Sequence, residues 1–394
     1  MIPLPTGIVP ETADVVIIGA GINGLALAYE MGLRGVKNVV VVEKNYIGSG
    51  STGRCGGGIR QQWTTKENVR LAQESVQLYQ EMAAHLGYQT FFRQGGYLMV
   101  TEDEKHLPGM KDAVKLQNGC DVATEFMSPE ECLKVAPGLN IENIKGATFC
   151  GTDGTAYPFA VVWGYAKAAK KQGAQIFLRT ELTSIETDDG KVTGVTTSRG
   201  KISTPLVVNC AGPWARTCAE MVGVTLPNKQ ERHEIMVSEP LKPFLDPMVI
   251  SLSNGIYFSQ SMRGEIVGGI GDPTEQEWES ADQFDTSSQL RFAVRFAKAL
   301  TEYYPSTSSV RMMRQWAGMY DVTPDHRPIL GGVDGLEGYQ HICGFSGHGF
   351  MLAPVTAHRM ADSITTGKHD ELISSLSLER FANGETVVDG FVVG

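Results

Sequence analysis

The chain opens without the pattern of a secretory leader: its first dozen residues, MIPLPTGIVPET, have no basic segment running into an apolar one. A signal peptide is therefore not expected. Long hydrophobic runs are also missing. The apolar stretches 15–20 and 39–42 are strand-length, far short of the ~20 residues that span a bilayer. Cysteine is sparse and scattered, at Cys55, Cys120, Cys132, Cys150, Cys210, Cys218 and Cys343, with no CxxC pair. Metal or iron–sulfur ligation within the chain is not expected, and reduced thiols in a cytoplasm are the plain reading. Positive charge is in deficit, with 34 Lys and Arg against 44 Asp and Glu for a net −10. A nucleic-acid or anionic-membrane surface would repel such a chain at long range. What remains is ordinary globular composition, 42% hydrophobic and 20% charged, in 394 residues. That length exceeds one compact core and predicts two closely packed domains.

A β-α-β unit begins the chain. Residues 14–19 suit a buried parallel strand, 21–33 a helix with Leu25, Ala28 and Tyr29 at helical spacing, and 38–43 (NVVVVE) a second buried strand. A Gly/Ser/Thr-rich loop, 48–58, and an amphipathic helix, 66–86, follow. Further along, 96–100 reads as a strand, 128–135 as a capped helix, and 156–171 as a helix. Short strands are expected at 174–179, 182–187, 192–197 and 206–210, and strand-rich sequence over 236–270. A helix at 287–303, a strand at 340–343 and a helix at 352–365 complete the pattern. Rossmann-like segments thus recur at the start, near 150–215 and at the end, separated by strand-rich insertions. No internal repeat or low-complexity tract is evident.

Gly19-Ala20-Gly21-Ile22-Asn23-Gly24 is a GxGxxG placed after a strand and opening a helix. Gly19 permits the tight turn, Gly21 lets backbone approach a pyrophosphate, and Gly24 allows close helix–strand packing; the helix N-terminus favours the anion. Glu43, at the end of the second strand and followed by Lys44, is placed to accept both ribose hydroxyls of an adenosine and disfavours a 2′-phosphate. One glycine motif alone is weak, but strand, helix, second strand and terminal acid in register make an ordinary glycine turn improbable.

Three segments select FAD over NAD. The loop 50–58 brings Ser51, Thr52, Arg54, Cys55, Gly57 and Gly58 to a flavin pyrophosphate or ring edge. The strand 206–210 runs into Ala211, Gly212 and Trp214, with Leu182 and Gly331 assigned to the same cofactor. Finally Gly347, His348, Gly349, Phe350 and Met351 lead into a helix whose positive end suits the negative charge that develops on a flavin as hydride arrives. Each segment alone could be a plain loop.

With GSGSTGRCGGGIRQQW (48–63), DGTAYPFAVVWGYA (153–166), RHEIMVSEP (232–240), RQWAGMYDVTPDHRPILG (314–331) and GFSGHGFMLAP (344–354), nearly the whole chain resembles the D-amino-acid oxidase superfamily of flavoproteins. Within it the likeness is to β subunits of heterotetrameric sarcosine oxidases and of dye-linked L-proline dehydrogenases. The resemblance implies an α/β (α+β overall) fold of glutathione-reductase type, in which a Rossmann-like FAD-binding domain (1–90, 150–228 and 325–394) carries an inserted substrate domain on an antiparallel or mixed sheet (91–149 and 229–324). It implies non-covalent FAD and hydride removal from the carbon beside an amine, leaving an imine that water hydrolyses. It also implies electron-accepting hetero-subunits bearing FMN or iron–sulfur centres.

Two departures stand out. The histidine to which relatives attach FMN covalently would align near Pro158, leaving only non-covalent FMN at a subunit interface. The oxygen-activating lysine of the oxidases would fall in 264–271 (GEIVGGIG), which has none. A dehydrogenase is favoured over an oxidase.

Arg60, at the end of the glycine loop, is a candidate to polarise the flavin or hold a substrate carboxylate bidentately; the alternative is a surface arginine. The resemblance puts His233 over the substrate pocket as ligand or proton acceptor, against a plain strand-edge histidine. Tyr257 is either a pocket phenol or a sheet aromatic. His348 is read as a side chain open to the cofactor and poised near neutral pH, against a loop-holding hydrogen bond. Met351 stands where some relatives carry a carboxylate-binding lysine. His326 and Arg327 are assigned to structure. Three functions compete: the catalytic subunit of an amino-acid or amine dehydrogenase, a self-contained peroxide-forming oxidase, and a non-catalytic flavin-binding subunit. L-proline, sarcosine, hydroxyproline, glycine and opine-like amines all fit.

Overall fold

β1 (Val15–Ile18) and β2 (Val39–Val42) are buried along their whole length, which is why both are uninterrupted apolar runs rather than alternating ones. They pair in parallel, Val15 against Val39 through Ile18 against Val42. On its other side β1 pairs in parallel with Val207–Asn209, and that strand with Leu336–Cys343. Three stretches remote in sequence therefore converge on one sheet, whose main order is 200–203, 191–197, 336–343, 207–209, β1, β2, 175–177. The structure, a computed structural model, describes residues 7–272, 277–278, 281–283 and 285–391. The start of MIPLPTGIVPET and the last three residues of the expected FAD-binding part lie outside them.

Helix α1 (Ile22–Leu33) packs against Pro158–Lys171 and Gly349–Thr366, and α2 (Lys66–Leu86) packs against the latter helix as well. α2 ends where Gly87 adopts the left-handed conformation that closes a helix cheaply. Ser128 caps Pro129–Val135 with the reciprocal Ser–Glu131 box.

The second large sheet is drawn from 97–150 and 229–322, with main order 277–278, 229–240, 265–270, 256–260, 248–251, 97–101, 146–150, 124–127. It is mixed: Tyr97–Thr101 runs parallel to Met248–Ser251, while its other pairings are antiparallel. Strand alternation divides its residues. Leu98, Val100 and Val249 enter a core with Phe258 and Phe296, whereas Tyr97, Met99, Met248 and Ile250 face the other way, where Tyr97, Met248 and Ile250 reach the central cavity. No helix among the described residues is long and apolar enough to cross a membrane.

Several elements were not expected from the sequence, among them the short strands Thr124–Met127, Gly146–Cys150, Gly200–Ser203 and Ile329–Val333 and two longer elements. The helix Leu107–Asn118 buries only Met110, Ala113 and Gln117, too thin an apolar stripe to register. The strand Met312–Val322 pairs antiparallel with Lys229–Pro240 from Val322–Lys229 to Met312–Ser238, but its partly buried, polar-rich sequence hides the period of two. The last long helix begins at Gly349 rather than 352, and the preceding one at Leu290 rather than 287.

Candidate flavin and substrate site

The first glycines act through close contact. Gly19 has φ +103°, and a Cβ there would lie 2.6 Å from the Cys210 carbonyl oxygen; at Gly24 it would lie 2.0 Å from the Gly19 oxygen. Gly21 differs, because a Cβ there would meet only Thr52 Oγ1, at 3.3 Å. Gly19 and Gly21 line a cleft of about 1970 Å³, its open mouth included, whereas Gly24 is a packing contact outside the lining. Ile22 donates its amide to Thr52 Oγ1 at 3.1 Å, and the buried Asn23 Oδ1 has no partner among the described residues. An unfilled acceptor beside a helix N-terminus in a cleft fits a ligand that brings its own donor. Glu43 accepts from the amides of Ala20 (2.9 Å) and Asn45 (2.7 Å) and from Ser49 Oγ (3.2 Å). Three of the roughly four acceptor positions of this carboxylate are thus used within the chain.

Lys44, Leu182, Ala211, Gly212 and Trp214 line the same end. Lys44 Nζ lies 3.9 Å from the Trp214 ring centre, and the indole N–H donates to Asp282 at 2.9 Å. Gly331 is a correction: it lies on the strand Ile329–Val333, opposite His341 and beside Ile373, and does not line the cleft. Its φ of +100° accounts for the glycine without any cofactor.

The loop 48–58 wraps the cleft as a tight turn, Ser51–Arg54. Ser51 Oγ donates to the Met319 carbonyl at 2.7 Å, and Trp316 Nε1 to that of Arg54 at 3.0 Å, so the second sheet holds the loop. The Arg54 guanidinium folds back on the Ser49 and Gly50 carbonyls, clamping the turn. Burial pushes the Cys55 thiol up to about 12, which keeps it protonated. At Gly58 a Cβ would strike the Tyr97 hydroxyl at 2.1 Å. Gly57 has φ +77° and lines the cleft with Gly58.

The third segment, Gly347 to Met351, presents the N-terminus of Gly349–Thr366 to the cleft. Pro354 inside this helix has no N–H for the Phe350 carbonyl, and the Tyr79 hydroxyl donates there instead at 2.6 Å. His348 lines the cleft but is 5% exposed, not open as expected. Its Nε2 lies 3.2 Å from Arg60 Nη2, and its ring meets Trp63 edge-on at 4.7 Å. Burial first, and the Arg60 charge second, hold its pKa well below the ordinary imidazole value, so it is neutral rather than poised near pH 7.

Arg60 is buried, not on the surface. It stacks over Trp63, 4.1 Å from the ring centre, and donates to the carbonyls of Gln62 and Phe391. Also in the lining, His233 stacks with Tyr320, at 4.7 Å, and Tyr257, at 5.6 Å between ring centres, with Nε2 3.0 Å from the Tyr257 hydroxyl. Burial pushes the His233 pKa down to about 4 and raises both phenols. Around this group the lining is Tyr97, Met248, Ile250 and the Arg60 cation. Tyr320 and Tyr97 were missed. Tyr320 stands in a stretch that carried the resemblance, but nothing in the local pattern around Tyr97 marks a pocket phenol. His326 and Arg327 lie outside the lining.

The profile of the FAD dependent oxidoreductase family matches residues 14–363. The chain is 33% identical to the sarcosine oxidase subunit beta of Rhodobacter capsulatus over 97% of its own length and 91% of that protein's. It is 30% identical to the corresponding Arthrobacter subunit, covering 96% and 93%. Among solved structures, an L-proline dehydrogenase from P. horikoshii superposes with a TM-score of 0.90 at 35% identity, over 95% of this chain and 99% of that one. Glycine oxidase from Bacillus cereus shares the fold at 23% identity, with a TM-score of 0.82. With its GxGxxG turn, its clamped glycine loop and its helix N-terminus converging on one cleft, the chain belongs to the DAO family of FAD-dependent oxidoreductases.

Proposed function

We propose that this chain oxidises a small amino acid or secondary amine, of the sarcosine or L-proline kind, to its imine and passes the electrons to a partner. The observation that carries this reading is one continuous cleft joining the dinucleotide turn to His233, Tyr257, Tyr320 and Arg60. The nucleotide-binding part is assigned to 1–90, 150–228 and 325–394 and the substrate-binding part to 91–149 and 229–324; the membership of the two large sheets supports this division, apart from the strand Gly146–Cys150, which straddles the boundary at 150.

Bound FAD supplies the hydride acceptor. The chain's residues set the state of the amine. The rings, Met248 and Ile250 around His233 desolvate it, and nothing among them attracts an ammonium by charge. Desolvation disfavours the protonated amine, so the free base, the form that releases hydride, is favoured. His233, neutral above about pH 4, can accept a hydrogen bond from the amine while Tyr257 orients the ring. Arg60 is a cation of the cleft lining that suits a substrate carboxylate.

The dehydrogenase reading has a steric support. Gly269 faces the stack, where a Cβ would lie 2.7 Å from the Tyr257 hydroxyl and 2.8 Å from His233 Nε2. A lysine side chain has no room there. Partner docking is supported by the exposed pair Tyr157 and Phe159, 6.3 Å apart at the opening of Pro158–Lys171, with Phe159 against Gly53 of the cofactor loop. FMN held without a covalent bond at such an interface belongs to the same proposal.

Anaerobic mixing of the flavin-loaded protein with amino acids and N-methyl amines tests it. Bleaching of the visible band is expected, with slow recovery in air and fast recovery with an artificial acceptor. Fast recovery in air would favour the oxidase, and a loaded protein that bleaches with no small amine, alone or with its co-purified neighbours, would overturn the reading.

A further inference from the structure

Among the described residues the buried Arg60 guanidinium contacts two carbonyls, a neutral imidazole and an indole face. Asp389 and Asp153 act on it only from a distance. A buried charge that touches no carboxylate among the described residues is costly and favours an anionic partner. One of the positions such a partner would use, on Nη2, is taken by the Phe391 carbonyl at 2.5 Å.

Phe391 follows an exposed stretch of chain. Residues 384–388 are exposed, with Val387 at 52% and Val388 at 60%. The chain then turns inward. The Asp389 carboxylate accepts from the amides of Thr64 and Thr65 (3.1 and 3.2 Å) and from Asn68 Nδ2 (3.1 Å), covering the start of α2, and the Gly390 amide donates to Thr64 Oγ1 at 2.7 Å. The Phe391 ring joins an apolar cluster containing Tyr97, Met248 and Ile250, which also line the cleft. An exposed stretch thus leads into a buried one, whose last described residue meets the arginine.

We propose that Phe391 is a specificity-determining stopper: its carbonyl stands on Arg60 in place of a carboxylate, and a ligand reaches that guanidinium only by bringing an anionic group that displaces it. A carboxylate can displace it because its hydrogen bond to a guanidinium is charge-assisted and bidentate, whereas the carbonyl offers one neutral acceptor. An amine lacking a carboxylate leaves the stopper in place. The proposal rests on the reading of Arg60 as the carboxylate site, and it makes the enzyme select amino acids over simple amines.

The test titrates the FAD-loaded protein with acetate, and with acetamide as its uncharged counterpart, following the flavin spectrum. Acetate should perturb the spectrum and acetamide should not. Deleting residue 389 onward should tighten acetate binding by about tenfold. Because that deletion also uncovers α2, Phe391→Ala is the companion: it keeps Asp389, loosens the anchor, and should tighten acetate by a smaller factor. Proteolysis within 385–388 should accelerate when acetate saturates the full chain. Equal or weaker acetate binding in both flavin-loaded variants would overturn the stopper, as would failure of acetate to bind any form. If acetate binding tightens but no amine bleaches the flavin, the stopper stands and the proposed reaction falls.

Discussion

Replacing Tyr79 with phenylalanine removes a single oxygen atom from a side chain that is 1% exposed, yet it should disturb the cofactor end of the molecule. That hydroxyl is the donor to the Phe350 carbonyl, which lacks its helical partner because residue 354 is proline. Leaving a buried carbonyl unsatisfied costs about 1–3 kcal/mol. At about 2 °C per kcal/mol for a chain of this length, Y79F should lower Tm by roughly 2–6 °C. Because Phe350 lines the cleft, flavin release should come correspondingly earlier in the melt. The cause can be isolated, since Pro354→Ala returns an amide N–H to the same carbonyl. In that background Y79F should cost about 1 kcal/mol less, a coupling above the roughly 0.3–0.5 kcal/mol scatter of independent sites. Thermal melts of the four proteins, followed by circular dichroism and flavin fluorescence, complete the cycle. Additive losses would refute the argument that Tyr79 answers for the proline.

The glycine fingerprint should separate by role. Gly21→Ala leaves the apoprotein folded but lowers flavin content, whereas Gly24→Ala, which would drive a methyl into the Gly19 carbonyl, loses both; flavin absorbance per chain beside circular dichroism reads this. His233 is neutral above about pH 4, so the pH profile of flavin reduction should show no imidazole ionisation near 6.5, and any inflection present should survive in His233→Gln. Burial raises the Asp153 carboxyl to about 6, against donors from Gln61 and Gln62 that oppose the shift. Between about pH 4 and 6 the folded chain keeps a proton that the unfolded chain has released, so this group's contribution to stability falls as pH rises through that window. The Tm of the native protein should therefore decline relative to Asp153→Asn from pH 4 to 6.5, and a flat difference would count against the burial argument.

The parts legible in advance share a physical trait: each is a local pattern with a local cause. Val15–Ile18 and Val39–Val42 are buried on both faces and so are apolar throughout. Gly24 is required by the Gly19 carbonyl of the same turn. α2 has one clear apolar face and a glycine terminator. Gly331 misled because its positive φ serves a hairpin, and a glycine in a strand has the same letter whether or not a ligand approaches it.

His348 shows the limit from the other side. A histidine between two glycines reads as open to a ligand, yet its environment comes from Arg60 and Trp63, nearly 290 positions earlier, and those neighbours decide that it is neutral. The same holds for Tyr320 and Tyr97, brought to the flavin cleft by pairings that span the second sheet. Phe391 meets Arg60 across 331 positions. Strand periods, helix faces and the glycine turn were set by short-range sterics and solvent exposure, which one stretch of sequence carries. Protonation state, counter-ion and access were set by which remote side chains share a buried space, and only the packed chain defines that.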